Sequence, residues 1–233
     1  MAFALSFRIA AWAGWRPGDE ESPTRRGAEP SRPLPAMLRR RVTDIGRQAL
    51  EAAWAVLPDG MTPRLVLSSR HGEYDRTLGL LRSLAEDGTT SPAEFSMAVH
   101  HALAGLLSIA TGNRAGHTAV AAGPESLGYG VLEAAAALAE DRAPVLLFHF
   151  DPRMPGHYAP VCDGADDEGA LAMLLAPASE DRGEHIRLSV ETASPGSSRP
   201  PPMTAALLDF LRSGKAASDI EGQTMIWRWR RAP

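Results

Sequence analysis

The residues that could act as nucleophiles in this chain are few, and the first of them is a serine at a turn. Ser126 stands in Gly123-Pro124-Glu125-Ser126-Leu127-Gly128, between an apolar run and an alanine-rich one. A serine nucleophile on a strand-to-helix turn needs Gly-x-Ser-x-Gly spacing, because the sharp turn is what exposes its oxygen. Here the spacing is Gly-x-x-Ser-x-Gly, and no acid and histidine can be assigned to serve it. Helix N-capping is the plainer role for Ser126. Glu125 is favoured near a helix N-terminus by the macrodipole, whether or not it meets a ligand.

Cys162 is the single cysteine, so neither an internal disulfide nor a cysteine zinc cluster is available. Asp163, Asp166, Asp167 and Glu168 follow it. Nearby carboxylates raise a thiol's pKa and oppose its use as a nucleophile. His149, Asp151 and His157 could ligate a metal, but their spacing matches no known ligand pattern, and an acidic loop is usually a solvated one. No cofactor or metal is expected. His100 and His101 fall in the middle of an apparent helix, so at most one of them can face the core. Trp227-Arg228-Trp229-Arg230-Arg231 mixes indoles with guanidiniums and could stack on bases, but a short basic run on an acidic body is weak support for that. It reads as a terminal edge strand or frayed tail.

These residues are positioned by alternating elements. Phe3, Leu5, Phe7 and Ile9 alternate as in a half-buried strand. Residues 16–35 are rich in proline, arginine and acidic side chains and predict a flexible loop. One amphipathic helix is expected from Pro35 to Leu57, a buried strand at Leu65-Val66-Leu67, and a helical face carrying Leu78, Leu81 and Leu84. Ser91-Pro92-Ala93-Glu94 supplies an N-cap hydroxyl, a proline at the first helical position and a reciprocal capping carboxylate. A helix should run from there through Phe95 and Leu103 towards Ile109, with Gly105 and Gly112 marking close packing or termination. A strand at Thr118 to Ala122, a helix from Ser126 to Glu140 and a strand from Val145 to Phe150 follow. Two further strands, Ala170 to Leu175 and Ile186 to Thr192, precede a Pro/Ser-rich linker at 194–202 and a C-terminal helix and tail over 203–233. The pattern is that of an α/β fold with a mostly parallel sheet covered by helices on both faces. A single domain over 1–233 is the expectation.

Composition excludes several functions. The chain has 233 residues, 44% of them hydrophobic, with 24 basic against 28 acidic side chains and a net charge of −4. Nucleic acid and anionic membranes are therefore not expected partners. No apolar stretch approaches the ~20 residues of a membrane span. Ala11-Trp12-Ala13 mimics a signal-peptidase site, but Arg8 interrupts the apolar run and no basic residue precedes it. A cytoplasmic protein is expected.

One segment carries more information. Ser91 to Asn113, with Ala93-Glu94-Phe95-Ser96-Met97-Ala98-Val99-His100-His101 at its heart, is followed by Thr118-Ala119-Val120-Ala121-Ala122-Gly123-Pro124-Glu125-Ser126. Together these resemble the N-terminal half of β-ketoacyl synthases. The resemblance is strongest to the ketosynthase-like chain-length-factor family of type II systems that build aryl polyene, xanthomonadin or flexirubin pigments. Met37-Leu38-Arg39-Arg40-Arg41 and Ser69-Arg70-His71-Gly72-Glu73 match that family's habit, and the likeness covers roughly Phe7 to Leu175.

The resemblance implies a thiolase-like half, βαβαβαββ. In active members a cysteine sits where the strand at Thr118 to Ala122 meets the helix at Ser126, and a helix N-terminus lowers its pKa. That position falls at Pro124 or Glu125 here. The glutamine of decarboxylase-like variants has no counterpart, and the second half, which supplies two histidines, is not expected in this chain. The resemblance thus implies a non-catalytic partner of a β-ketoacyl synthase, meeting acyl carrier protein only indirectly. Phe95, His100, His101, Gly123, Glu125 and Ser126 become its acyl-tunnel or interface candidates. The alternatives are an acyl-transferring or hydrolysing enzyme using Ser126 or Cys162, and a structural relic that only stabilises an assembly.

Overall fold

Strands covered on both faces need not alternate, and the central strands here are apolar along almost their whole length. A computed structural model describes residues 3–19, 24–27, 33–156, 158, 167–193 and 201–232. Cys162 and His157 lie outside the described residues, as does most of the 194–202 linker. In β5 (Val145–Asp151) and β6 (Gly169–Pro177), Leu147, Leu171 and Met173 join one core, while Phe148, Phe150, Ala172 and Leu174 join the other. The first core lies under α6 (Ser126–Asp141) and α7 (Met203–Ser213). The second lies under α2 (Asp44–Val56) and α5 (Ala102–Thr111).

The sheet runs β4 (His117–Val120), β3 (Arg64–Ser68), β5, β6, β1 (Phe3–Trp15), β7 (Glu184–Thr192), β9 (Met225–Arg231), β8 (Ala217–Glu221), with β2 (Thr24–Arg26) paired to β1. Parallel pairing is confined to β3 with β4 and with β5. The other pairings are antiparallel, which corrects the mostly parallel sheet of the sequence reading. The reason is connectivity: helical crossovers join β3 to β4 and β4 to β5, whereas β6, β7 and β9 each follow the preceding strand with no helix between them among the described residues, and the one later crossover, α7, joins β7 to β8, which are separated in the sheet by β9. A bulge between Ile9 and Ala11 resets the alternation of β1, so Phe7, Ile9 and Trp12 share one core although the last step is three residues.

Two expected helices are each broken in two. The span from Pro35 to Leu57 divides into α1 (Ala36–Arg39) and α2, because Thr43 Oγ1 accepts a hydrogen bond from Gly46 N at 3.2 Å and starts a new N-terminus. The span from Pro92 to Ile109 divides into α4 (Pro92–Met97) and α5, which moves His100 and His101 from mid-helix to the junction. Ser91 caps α4 as expected, but Glu94 is ion-paired to Arg76. Gly112 ends α5 with a left-handed φ of 64°, whereas nothing lies near Gly105. α3 (Tyr74–Asp87) buries no residue, and its Leu81 and Leu84 are exposed.

The basic C-terminal run is no frayed tail. β9 lies inside the sheet between β7 and β8, with Trp227 and Trp229 fully buried and Arg228 paired to Asp219 and Glu191 on the other face. Part of the 16–35 loop is likewise ordered as β2, whose Arg25 and Arg26 pair with Ala13 and Trp12.

Candidate functional site

The turn from β4 into α6 is closed by its own side chains. Gly123 adopts φ 59°, a left-handed conformation that glycine tolerates best, and turns the chain into the helix. Ser126 Oγ accepts from Ala122 N at 2.9 Å and donates to Gly123 O at 2.7 Å. Ser126 is thus the first helical residue, not the expected N-cap, and its buried hydroxyl is fully engaged within the turn.

Glu125 takes the cap position and turns inward. The residue is only 3% exposed. Oε1 accepts from Met225 N at 3.0 Å and from Trp227 Nε1 at 3.1 Å. Oε2 accepts from Thr224 N at 3.0 Å and from the Thr224 hydroxyl. Four donors from the β8–β9 hairpin therefore hold one carboxylate, which satisfies a charge that would be costly if buried alone. Two glycines permit the approach: a Cβ on Gly222 would lie 2.0 Å from Glu125 Oε1, and one on Gly128 would lie 2.5 Å from the Trp227 ring. Tyr129 then packs edge-on against Trp227, with ring centroids 5.4 Å apart. Proton transfer or nucleophilic attack by Glu125 would have to break this entire set of contacts.

A second buried polar group stands at the ends of β3 and β5. Ser68 Oγ is 3.0 Å from His149 Nδ1, and His149 Nε2 is 3.5 Å from Asp151 Oδ2. Asp151 Oδ1 accepts from Ser69 Oγ at 3.0 Å, Arg70 N at 2.8 Å and His71 N at 2.9 Å, which folds the Ser69–Gly72 loop over it. His100 Nε2 contacts Ser69 O at 3.2 Å and ties the α4–α5 junction to the same loop. Serine, histidine and aspartate suggest acyl transfer, but Ser68 is wholly buried beneath α6, where a Cβ on Gly130 would lie 2.7 Å from its oxygen. The group positions backbone. It contains His149 and Asp151 but brings no third ligand to them, and the described residues hold no cluster of metal-ligating side chains.

Burial sets the protonation of this pair. Desolvation pushes His149 down to about 3 and Asp151 up to about 7, so both prefer their neutral forms. A neutral His149 leaves one ring nitrogen to accept, and the Oδ2 of a protonated Asp151 faces it. Between the unfolded carboxyl pKa near 4 and the folded value of about 7, the folded chain binds the extra proton, so the Asp151 contribution to stability declines as pH rises. The stability of the wild type relative to Asp151→Asn should therefore fall between pH 5 and pH 7, by at most about tenfold in the folding constant per pH unit. Urea titrations of both proteins across that range check it, and a pH-independent difference would contradict it.

Glu73, also buried, joins two helix starts. Its Oε1 accepts from Thr43 Oγ1 at 3.1 Å, and burial raises its pKa against the opposing influence of Thr43 and Arg76. The remaining candidates face outward. Phe95 is 62% exposed and His101 is exposed, its ring stacked on His117 of β4 at 5.7 Å. Beyond β4 the described residues add no further strand, so its outer edge is free.

The sequence profile described as "Beta-ketoacyl synthase, N-terminal domain" matches residues 12–230. The chain belongs to this family. The match extends past Leu175, where the resemblance in the sequence ended, and takes in the β8–β9 hairpin that holds Glu125. Among curated proteins none matches the chain. Among solved structures, the complex of the ketosynthase ApeO with its chain length factor ApeC from Xenorhabdus doucetiae aligns with TM-score 0.79 and 26% identity, covering 97% of this chain and 100% of that one. A β-ketoacyl synthase from Burkholderia phymatum STM815 aligns with TM-score 0.57 and 11% identity over 91% of this chain and 71% of its own. The AntDE:AntF complex, a type II acyl carrier protein with its ketosynthase bound to the hexaketide, aligns with TM-score 0.55 and 15% identity over 69% of this chain and 56% of its own. These last two likenesses speak to the fold alone, and the thiolase-like architecture expected from the sequence is the one found. No helix among the described residues is long and apolar enough to cross a membrane.

Ser68 and Glu73 were missed as site residues by sequence reasoning. The available signal was the polar run Ser68 to Glu73 directly after an apolar strand, where buried loops need side-chain partners for their backbone.

Proposed function

We propose that this chain is a non-catalytic, chain-length-factor-like subunit that pairs with a β-ketoacyl synthase in a cytoplasmic type II fatty-acid or polyketide system of the aryl polyene kind. The observation that carries the proposal is the Glu125 carboxylate, buried and saturated by four donors at the turn where family members that condense acyl chains place a thiol. A carboxylate so held cannot take up an acyl chain as a thioester. The ApeO–ApeC likeness supports the pairing. Acyl carrier protein meets the complex through the ketosynthase and touches this chain only indirectly.

The contact with the ketosynthase uses the free edge of β4, the His101–His117 stack beside it and the exposed apolar side chains of α4 and α5, Phe95 and Ile109. An unpaired strand edge and solvent-facing large apolar groups are costly to leave open and are usual marks of an interface. His100, Gly123, Glu125 and Ser126 shape the wall behind that surface, so that they bear on the length of chain the ketosynthase can hold. The alternative enzyme using Ser126 loses support from the closed turn. Coexpression with the ketosynthase from the same genome tests the pairing: one heteromeric peak in size-exclusion chromatography is expected, and two separate peaks at micromolar concentration contradict it.

A further inference from the structure

At the other end of β9 from Met225, about 20 Å away along the strand, the chain forms a cleft of about 420 Å³ that the proposed function does not use. It is lined by Arg8 of β1, Arg26 of β2, Gly183, Glu184 and His185 at the start of β7, Gly214 after α7, and Arg231 and Ala232. Three guanidiniums face one carboxylate. Glu184 is ion-paired with both Arg26 and Arg231, so the arginines of the lining outnumber its carboxylates by two. Glu180 and Asp181 on the preceding turn are exposed and do not line the cleft.

Two of the three cations, Arg8 and Arg231, are fixed in place by the frame around them. Arg8 NH1 donates to Gly183 O at 3.0 Å and its Nε to Ala178 O at 3.4 Å. Arg231 NH2 donates to Phe210 O at 2.9 Å, its Nε donates to Lys215 O at 3.0 Å, and its guanidinium lies 4.5 Å over the Phe210 ring. Arg8 is thus held through neutral carbonyls alone, which orients its charge without cancelling it, whereas Arg231 shares its contacts between carbonyls, the ring and the Glu184 carboxylate. His185 Nε2 is buried and has no hydrogen-bond partner among the described residues, although its residue lines the cleft. Gly183, with φ 96°, brings the turn so close to β1 that a Cβ would lie 2.6 Å from Ile9 O, and it leaves that wall free of side chain.

We propose that this cleft is a binding site for an oxyanion of the phosphate class, either free phosphate or the phosphate of a larger monoester. Converging guanidiniums supply paired N–H donors suited to a tetrahedral dianion, and a preorganised donor set lowers the ordering cost of binding. The intact chain is titrated with inorganic phosphate and with glycerol 3-phosphate, against chloride at matched ionic strength, and followed by calorimetry and thermal unfolding. Saturable binding and a raised melting temperature are expected, each weakened about fivefold or more in Arg8→Gln and in Arg26→Gln, as loss of one nearby charge requires. Arg26 is the safer variant for folding, since its side chain is 60% exposed. Tighter binding of the ester supports an esterified ligand, and tighter binding of inorganic phosphate supports the free ion. A response equal to that of chloride, or one undiminished in the Arg8→Gln/Arg26→Gln double variant, overturns the proposal.

Discussion

Glu125→Ala should lower the unfolding free energy by about 3 kcal/mol or more, because it strands buried donors that have no alternative acceptor. Thr224 N, Met225 N and Trp227 Nε1 would all lose their partner at once. Glu125→Gln keeps the shape and one acceptor but turns an NH₂ group towards donors, so its cost should be intermediate. Urea denaturation followed by far-UV circular dichroism measures both. A carboxylate that merely favoured the helix dipole from solvent would contribute about 0.3–1 kcal/mol. Losses that small for the alanine variant would show that the β8–β9 clamp does not hold Glu125.

The second large effect concerns association. Phe95→Asp combined with Ile109→Asp should leave the isolated chain folded, since both side chains are largely exposed, at 62% and 76%. The same pair should weaken the complex with the ketosynthase by roughly a hundredfold or more, the scale of losing an apolar anchor at an interface centre. Analytical ultracentrifugation of the mixed subunits reads the dissociation constant. An affinity unchanged by both substitutions would remove α4 and α5 from the contact and leave the β4 edge to account for it.

The sequence was most informative where a local signal sufficed. Leu65 to Leu67, Val145 to Phe150 and the alanine-rich helix after Ser126 were readable because apolar periodicity and end signals agree there. The break before His101 was not, because Ala98-Val99-His100 contains neither glycine nor proline, and the kink is stabilised from outside by the His100 contact with Ser69 O. For Trp227 to Arg231 the strand alternative holds and the frayed tail does not, although the strand lies inside the sheet and not at its edge. Its alternation of tryptophan with arginine is the period-two pattern of a strand with one buried face. Sheet direction failed because strand order and sense depend on connections that composition does not encode.

The candidate site divides in the same way. The missing thiol could be seen in Gly123 to Ser126 directly. That Glu125 points inward could not, because its partners lie 99 to 102 residues further along the chain. Non-local hydrogen bonds leave no periodic trace, and the only hints were Gly128 and Gly222, small residues at the two points where a side chain would collide with the clamp.

Incubation of the purified chain with acyl and malonyl thioesters, followed by intact-mass spectrometry, addresses the central claim most directly. The account predicts an unchanged mass and no extended product, with condensation appearing only when a ketosynthase is added. An acyl adduct on this chain alone, abolished by Ser126→Ala or Cys162→Ser, together with an extended thioester, would contradict it.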